Sequence, residues 1–191
     1  MPQKALIIVD LQNDFCPGGA LAVTNGDQVV PVIQDWVNRF HHDHQLIVTT
    51  QDAHPSNHVS FQAQGGPWPP HCVVGTPGFR LHPDLWLPAD TPQFHKGFRE
   101  DQDAYSGFEG LLSEGGQRTL LLADFLRQNG VTEVYVAGLA TDYCVRATVL
   151  DALKEGFKTW VIADGVKGVD VNPGDSDRAL VEMARRGAEL I

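Results

Sequence analysis

Val134-Tyr135-Val136-Ala137-Gly138-Leu139-Ala140-Thr141-Asp142-Tyr143-Cys144-Val145 is the stretch that decides how the chain folds. It opens as a strand: the run from Val131, just before it, to Ala137 is mostly apolar and β-branched, the pattern of a buried strand. Beyond it Val145, Val149, Ala152 and Leu153 recur at helical spacing. The stretch therefore reads as a strand running into a helix, with Thr141 or Asp142 as the cap. Cys144 falls in the first helical turn, where free backbone N–H groups favour a thiolate and attract a nearby anion. That makes it a candidate nucleophile; a buried free cysteine at such a junction is also an ordinary core residue.

The same alternation extends outward in both directions. Ala5 to Val9 is a continuous apolar run ending in Asp10, followed by a turn-rich loop through Cys16-Pro17-Gly18-Gly19. Val29, Ile33, Trp36, Val37 and Phe40 mark an amphipathic helix. Gln45 to Thr50 reads as a second strand, leading to Gln51-Asp52-Ala53-His54-Pro55, and Thr91 to His95 as a short third one before Lys96. Gln117 to Gln128 reads as a helix, Thr159 to Ala163 as a strand, and Asp175 caps a last helix before a terminal strand at Ala188 to Ile191. Strands alternating with helices predict an α/β fold: three α/β/α layers around a mostly parallel, Rossmann-like sheet. Residues 1–191 show no repeat or linker and read as one domain, with a Pro- and Gly-rich excursion at about 52–95 of the kind that is usually functional.

Composition narrows the function. The net charge is −10 with no basic run, which argues against a nucleic-acid partner. No apolar run is long enough to span a bilayer. Three cysteines and no basic leader point to a reducing cytoplasm. The oligomeric state stays open, a homo-oligomer included.

Chemistry converges on one edge of the expected sheet. In an open parallel sheet the C-terminal strand ends lie together, and ligands bind there. Asp10, Asp52, His54, Lys96 and Cys144 all follow strands. Asp52 and His54 share a face, and with a further imidazole, His58 or His71, they make a two-histidine, one-carboxylate metal site suited to zinc, iron or manganese. Lys96 beside Cys144 lowers the thiol pKa, and Asp10 can take its proton. Taken singly, Lys96 fits a surface ion pair and Asp10 a loop cap. Phe15, Trp68 and Tyr105 are loop aromatics able to sandwich a flat ring. His41-His42-Asp43-His44 suits a solvated helix end, and Cys16 and Cys72 read as structural.

Six segments carry a resemblance. They are Ile8-Val9-Asp10-Leu11-Gln12-Asn13-Asp14-Phe15, Thr50-Gln51-Asp52-Ala53-His54-Pro55, Trp68-Pro69-Pro70-His71-Cys72-Val73, His95-Lys96-Gly97, Tyr105-Ser106-Gly107-Phe108 and Gly138 to Val145. In this order they resemble the nicotinamidase/pyrazinamidase family of the isochorismatase-like fold. The resemblance implies hydrolysis of nicotinamide to nicotinate and ammonia, in NAD salvage. It implies a catalytic triad of Asp10, Lys96 and Cys144, and one divalent metal, zinc first, on Asp52, His54 and His71, with His58 at the place where some members recruit a further histidine. It also implies a cis Leu139–Ala140 peptide, an oxyanion hole of the Ala140 and Cys144 N–H groups, and a ring pocket of Phe15, Trp68, Tyr105, Leu139 and Ala140. Cysteine amidohydrolases of the same fold that act on carbamoyl groups or ureides need no ring slot, and isochorismatases need no cysteine. A metal-binding protein without catalysis would not need the triad.

Overall fold

The computed structural model describes residues 3–191. Eight strands form one sheet: β1 (Gln3–Val9), β2 (Leu46–Asp52), β3 (Gln93–Lys96), β4 (Leu111–Glu114), β5 (Gln117–Leu121), β6 (Val131–Leu139), β7 (Lys158–Lys167) and β8 (Glu189–Leu190). Their order is β5-β4-β3-β2-β1-β6-β7-β8. All pairings are parallel except β3 with β4 and β4 with β5. The helices are α1 (Val29–His42), α2 (Leu122–Gln128), α3 (Arg146–Lys154) and α4 (Asp175–Arg185).

The apolar run of β1 is buried on both faces, as its lack of alternation implies. Ile7 and Val9 join Val134, Val136 and Val161 against α2, α3 and α4. Leu6 and Ile8 join Tyr135, Ala137 and Ile162 against Val29, Ile33, Val37 and Phe40 of α1. Each such side chain removed from water contributes about 1.5–3 kcal/mol, so the central strands anchor the fold. Among the described residues no helix is long and apolar enough to cross a membrane.

Three local expectations are corrected. Gln117–Leu121 is strand, not helix: Gly115 and Gly116, at φ 56° and 80°, turn β4 into β5. The left-handed pair is the two-residue hairpin connection, and only the last seven residues of the expected helix remain as α2. Cys144 sits in a wide turn, Thr141–Val145, that precedes α3, and neither Thr141 nor Asp142 caps it. Asp142 instead accepts hydrogen bonds from Val169 and Asp170 N–H, at 2.9 and 2.8 Å. Asp175 is the first residue of α4, Gly174 being its cap.

Candidate active site

Parallel pairing carries the functional side chains to one edge. Asp10 follows β1, Asp52 closes β2, Lys96 closes β3 and Cys144 follows β6. Asp52 and Lys96 are register partners. Among the described residues they form a buried knot. Lys96 Nζ lies 2.5 Å from Asp52 Oδ1, 2.9 Å from Asp10 Oδ2 and 3.5 Å from Cys144 Sγ. Asp10 and Lys96 are fully buried. Asp10 Oδ1 accepts from Thr50 Oγ1 at 2.7 Å, while Oδ2 has no aligned hydrogen bond. Reactive oxygens of Asp10 and Asp52 and the sulfur of Cys144 lie within 4.8 Å of one another. The ammonium among them makes this an ion-pair cluster and not a cation site.

The electrostatics sort the protons. Burial pushes the Lys96 ammonium down, but Asp10 and Asp52 outweigh it and hold the lysine charged. Burial raises the Asp52 carboxyl, yet Lys96 and His54 bring it well below the usual range. Burial, with Asp52 nearby, leaves the Asp10 carboxyl raised despite Lys96. The Cys144 thiol is also raised, by burial first, with Lys96 only partly offsetting it. The expected lowering of the Cys144 thiol pKa is thereby corrected in direction: burial outweighs the Lys96 ammonium, and the Asp10 carboxyl beside it is raised as well. Cys16, pushed up to about 11 by burial, and the buried Cys72 have no such ammonium at hydrogen-bonding distance among the described residues.

Asp52, His54 and His71 form a metal site. Their ligand atoms converge within 4.8 Å and all three residues are buried. His54 Nδ1 bonds Gly97 O at 2.7 Å and His71 Nδ1 bonds Pro69 O at 2.9 Å. With Nδ1–H donating to a carbonyl, each Nε2 presents a lone pair toward Asp52 Oδ2, at 3.5 and 3.9 Å. That orientation by an outer carbonyl is the arrangement metal-binding histidines need. Burial also pushes the His71 imidazole toward its neutral, ligating form. His58 is placed differently. Its Nδ1 accepts from Ser60 N–H (3.3 Å) and meets Ser60 Oγ (2.7 Å), and Nε2 donates to Gln102 O (3.1 Å). It stacks on His54 at 4.0 Å and turns no free lone pair toward Asp52.

One small cavity joins the two clusters. Cys144, Ala140, Asp52 and His71 line it together with Phe15, Trp68 and Tyr105. Trp68 Nε1 donates to the Tyr105 hydroxyl at 3.2 Å, fixing the two rings against each other. Leu21, Tyr143 and Val169 complete the wall and were not foreseen. Tyr143 stands next to the nucleophile in sequence, which is a usable signal. Leu21 and Val169 are single apolar residues in loops and give none. Leu139 departs from expectation: its side chain is wholly buried in the core on the α1 side of the sheet. The Leu139–Ala140 peptide is cis, and Ala140 N–H finds no acceptor among the described residues. His41, His42 and His44 are exposed and lie outside the site.

Comparison with known proteins agrees with this geometry. Residues 4–191 match the isochorismatase domain. The chain is 43% identical over 205 residues to the nicotinamidase of Escherichia coli K12, covering all of this chain and 95% of that one. It is 44% identical over 194 residues to the nicotinamidase/pyrazinamidase of Mycobacterium tuberculosis, covering 98% of each. The pyrazinamidase of Pyrococcus horikoshii, solved in complex with zinc, superposes with a TM-score of 0.90 at 48% identity, over 100% of this chain and 99% of that one. A mostly parallel sheet with a cysteine, a lysine and a carboxylate at its C-terminal edge, matched along nearly its whole length, places the chain in the isochorismatase family.

Proposed function

We propose that the protein is a nicotinamidase, hydrolysing the carboxamide of nicotinamide, and of pyrazinamide, to the acid and ammonia through a thioester on Cys144. The observation that carries this reading is the shared cavity: two metal ligands, an aromatic wall and a cysteine line one space. A flat heteroaromatic amide matches that lining, its ring between the aromatic side chains and its carbonyl at the sulfur.

In this scheme Asp10 Oδ2 takes the proton of Cys144, and the Lys96 ammonium stabilises the thiolate. The sulfur attacks the amide carbon. Ala140 and Cys144 N–H groups hold the oxyanion; comparable donors are worth about 3 kcal/mol each in acyl transfer. Asp10 returns its proton to the departing nitrogen, which leaves as ammonia. Again a carboxylate, Asp10 takes a proton from water as it attacks the thioester, and the acid departs with the thiol restored. Asp52, His54 and His71 would hold a divalent cation, zinc in the first instance, which would supply a Lewis-acidic anchor for the ring nitrogen. Nicotinate so formed enters NAD salvage. The free cysteines Cys16, Cys72 and Cys144 support a cytoplasmic setting.

The test is a coupled ammonia assay with nicotinamide, with and without added zinc, iron or manganese. Absence of ammonia under all conditions would overturn the reading.

A further inference from the structure

Strand β2 outruns its neighbour β1. Val9, opposite Thr50, is the last residue of β1 in register. Asp10 then adopts φ 45° and the chain leaves the sheet. Alternate residues of a strand direct their backbone groups to the same side, so Asp52 N–H and C=O face the gap that β1 leaves. Strand β3 serves the other set, as where Ala53 N–H donates to Lys96 O at 2.9 Å.

The side chain of Gln12 fills that gap. Its Oε1 accepts from Asp52 N–H at 2.9 Å and its Nε2 donates to Asp52 O at 2.9 Å. A primary amide thus pairs with residue 52 as a neighbouring strand would, one donor and one acceptor in register. The second Nε2 hydrogen goes to Phe79 O, also at 2.9 Å. Gln12 is fully buried, so water does not compete for these bonds.

Asp52 is the residue that the metal site and the Lys96 cluster have in common. We infer that Gln12 is a positioning residue for both: by clamping the Asp52 backbone it fixes one carboxylate oxygen on Lys96 and the other toward His54 and His71. This rests on Asp52 being a ligand, as proposed above. A framework role alone would stabilise the fold and leave the affinity of the folded site for metal unchanged.

The experiment compares Gln12→Glu and Gln12→Met, both close in size to glutamine, with the parent. Zinc affinity of metal-stripped protein is measured by competition with a chromogenic chelator, beside kcat, KM and the melting temperature of the metal-free form. Positioning predicts zinc binding weaker by about ten-fold or more in folded variants, with a lower kcat and a higher KM. Gln51→Met is the control. It removes the other amide donor to Phe79 O, at 3.1 Å, and leaves both Asp52 bonds in place, so zinc affinity should match the parent. Unchanged zinc affinity in a folded Gln12 variant overturns the inference. So does an equal loss in Gln51→Met, or failure of both Gln12 variants to fold, which would make Gln12 a framework residue. Zinc binding is read without substrate, so an inactive parent would overturn the proposed function and leave this measurement valid.

Discussion

Asp52 divides its carboxylate between two tasks: Oδ1 lies 2.5 Å from Lys96 Nζ, and Oδ2 faces the Nε2 atoms of His54 and His71 at 3.5 and 3.9 Å. Metal site and lysine are therefore one electrostatic unit. Asp52→Asn should weaken zinc binding more than about a hundred-fold and also lower kcat at saturating zinc. His71→Ala removes a ligand only, and excess zinc should recover much of its turnover. Full recovery of Asp52→Asn by zinc would show that the carboxylate has no part in holding Lys96.

Cys144→Ala should lower turnover by a factor of about 10⁴ or more while zinc and nicotinamide still bind. Isothermal titration beside the ammonia assay separates the two effects. Turnover that survives the substitution rules out the thioester.

If the cation anchors the ring as proposed, chelation should raise KM at least as much as it lowers kcat. Benzamide, which lacks the ring nitrogen, should be a poor substrate. Benzamide hydrolysed as fast as nicotinamide would remove the need for a contact between nitrogen and metal.

His95 gives stability a pH dependence. Burial, with Arg118 nearby, lowers its pKa from 6.5 to about 4, and its Nε2 has no hydrogen-bond partner among the described residues. The folded state thus binds fewer protons than the unfolded chain between these values. The contribution is complete above the unfolded pKa, shrinks as pH falls through this window, and levels off below the folded pKa. Its size is about 1–2 kcal/mol once partial exposure is allowed for. His95→Leu should flatten the fall in melting temperature from pH 6.5 to 4 relative to the parent. An identical slope would assign the dependence to other groups.

Gly138 has φ 123°, and a Cβ there would fall on the Val9 backbone. Gly138→Ala should lose about 2 kcal/mol or more, since it pries β6 from β1 beside the site. Gly156→Ala, also at positive φ (88°) but with open space around it, should lose about 1 kcal/mol. Urea midpoints compare the two; equal losses would mean that the contact with Val9 is absent.

Much of this was legible before folding was considered. Doubly covered strands announce themselves as apolar runs: Ala5 to Val9 of β1 is unbroken, and β6 reads so from Val134 onward. Helix α1 shows its stripe from Val29 to Phe40. The hairpin of β4 and β5 is masked in the sequence because Leu121, Leu122, Phe125 and Leu126 are spaced as a helical face. Its signal was Gly115-Gly116, which is weak in a strand with an exposed, mixed pattern. At the site, residues placed by strand ends could be located from order alone. Gln12 and Thr50 could not, because their partners lie 40 residues away. Nor could the upward push on the Cys144 thiol, which depends on burial and on two carboxylates arriving from other strands.

The buried Lys96, held between two acids, also bears on how such a sequence drifts. Removing one member of an interior charge cluster costs about 3–5 kcal/mol, a large share of the roughly 5–15 kcal/mol that keeps a domain folded. Single replacements at positions 10, 52 or 96 are thus penalised in the unfolded-to-folded balance before catalysis is considered. Mutational paths that retire or repurpose this centre are therefore least costly when its charged members change together.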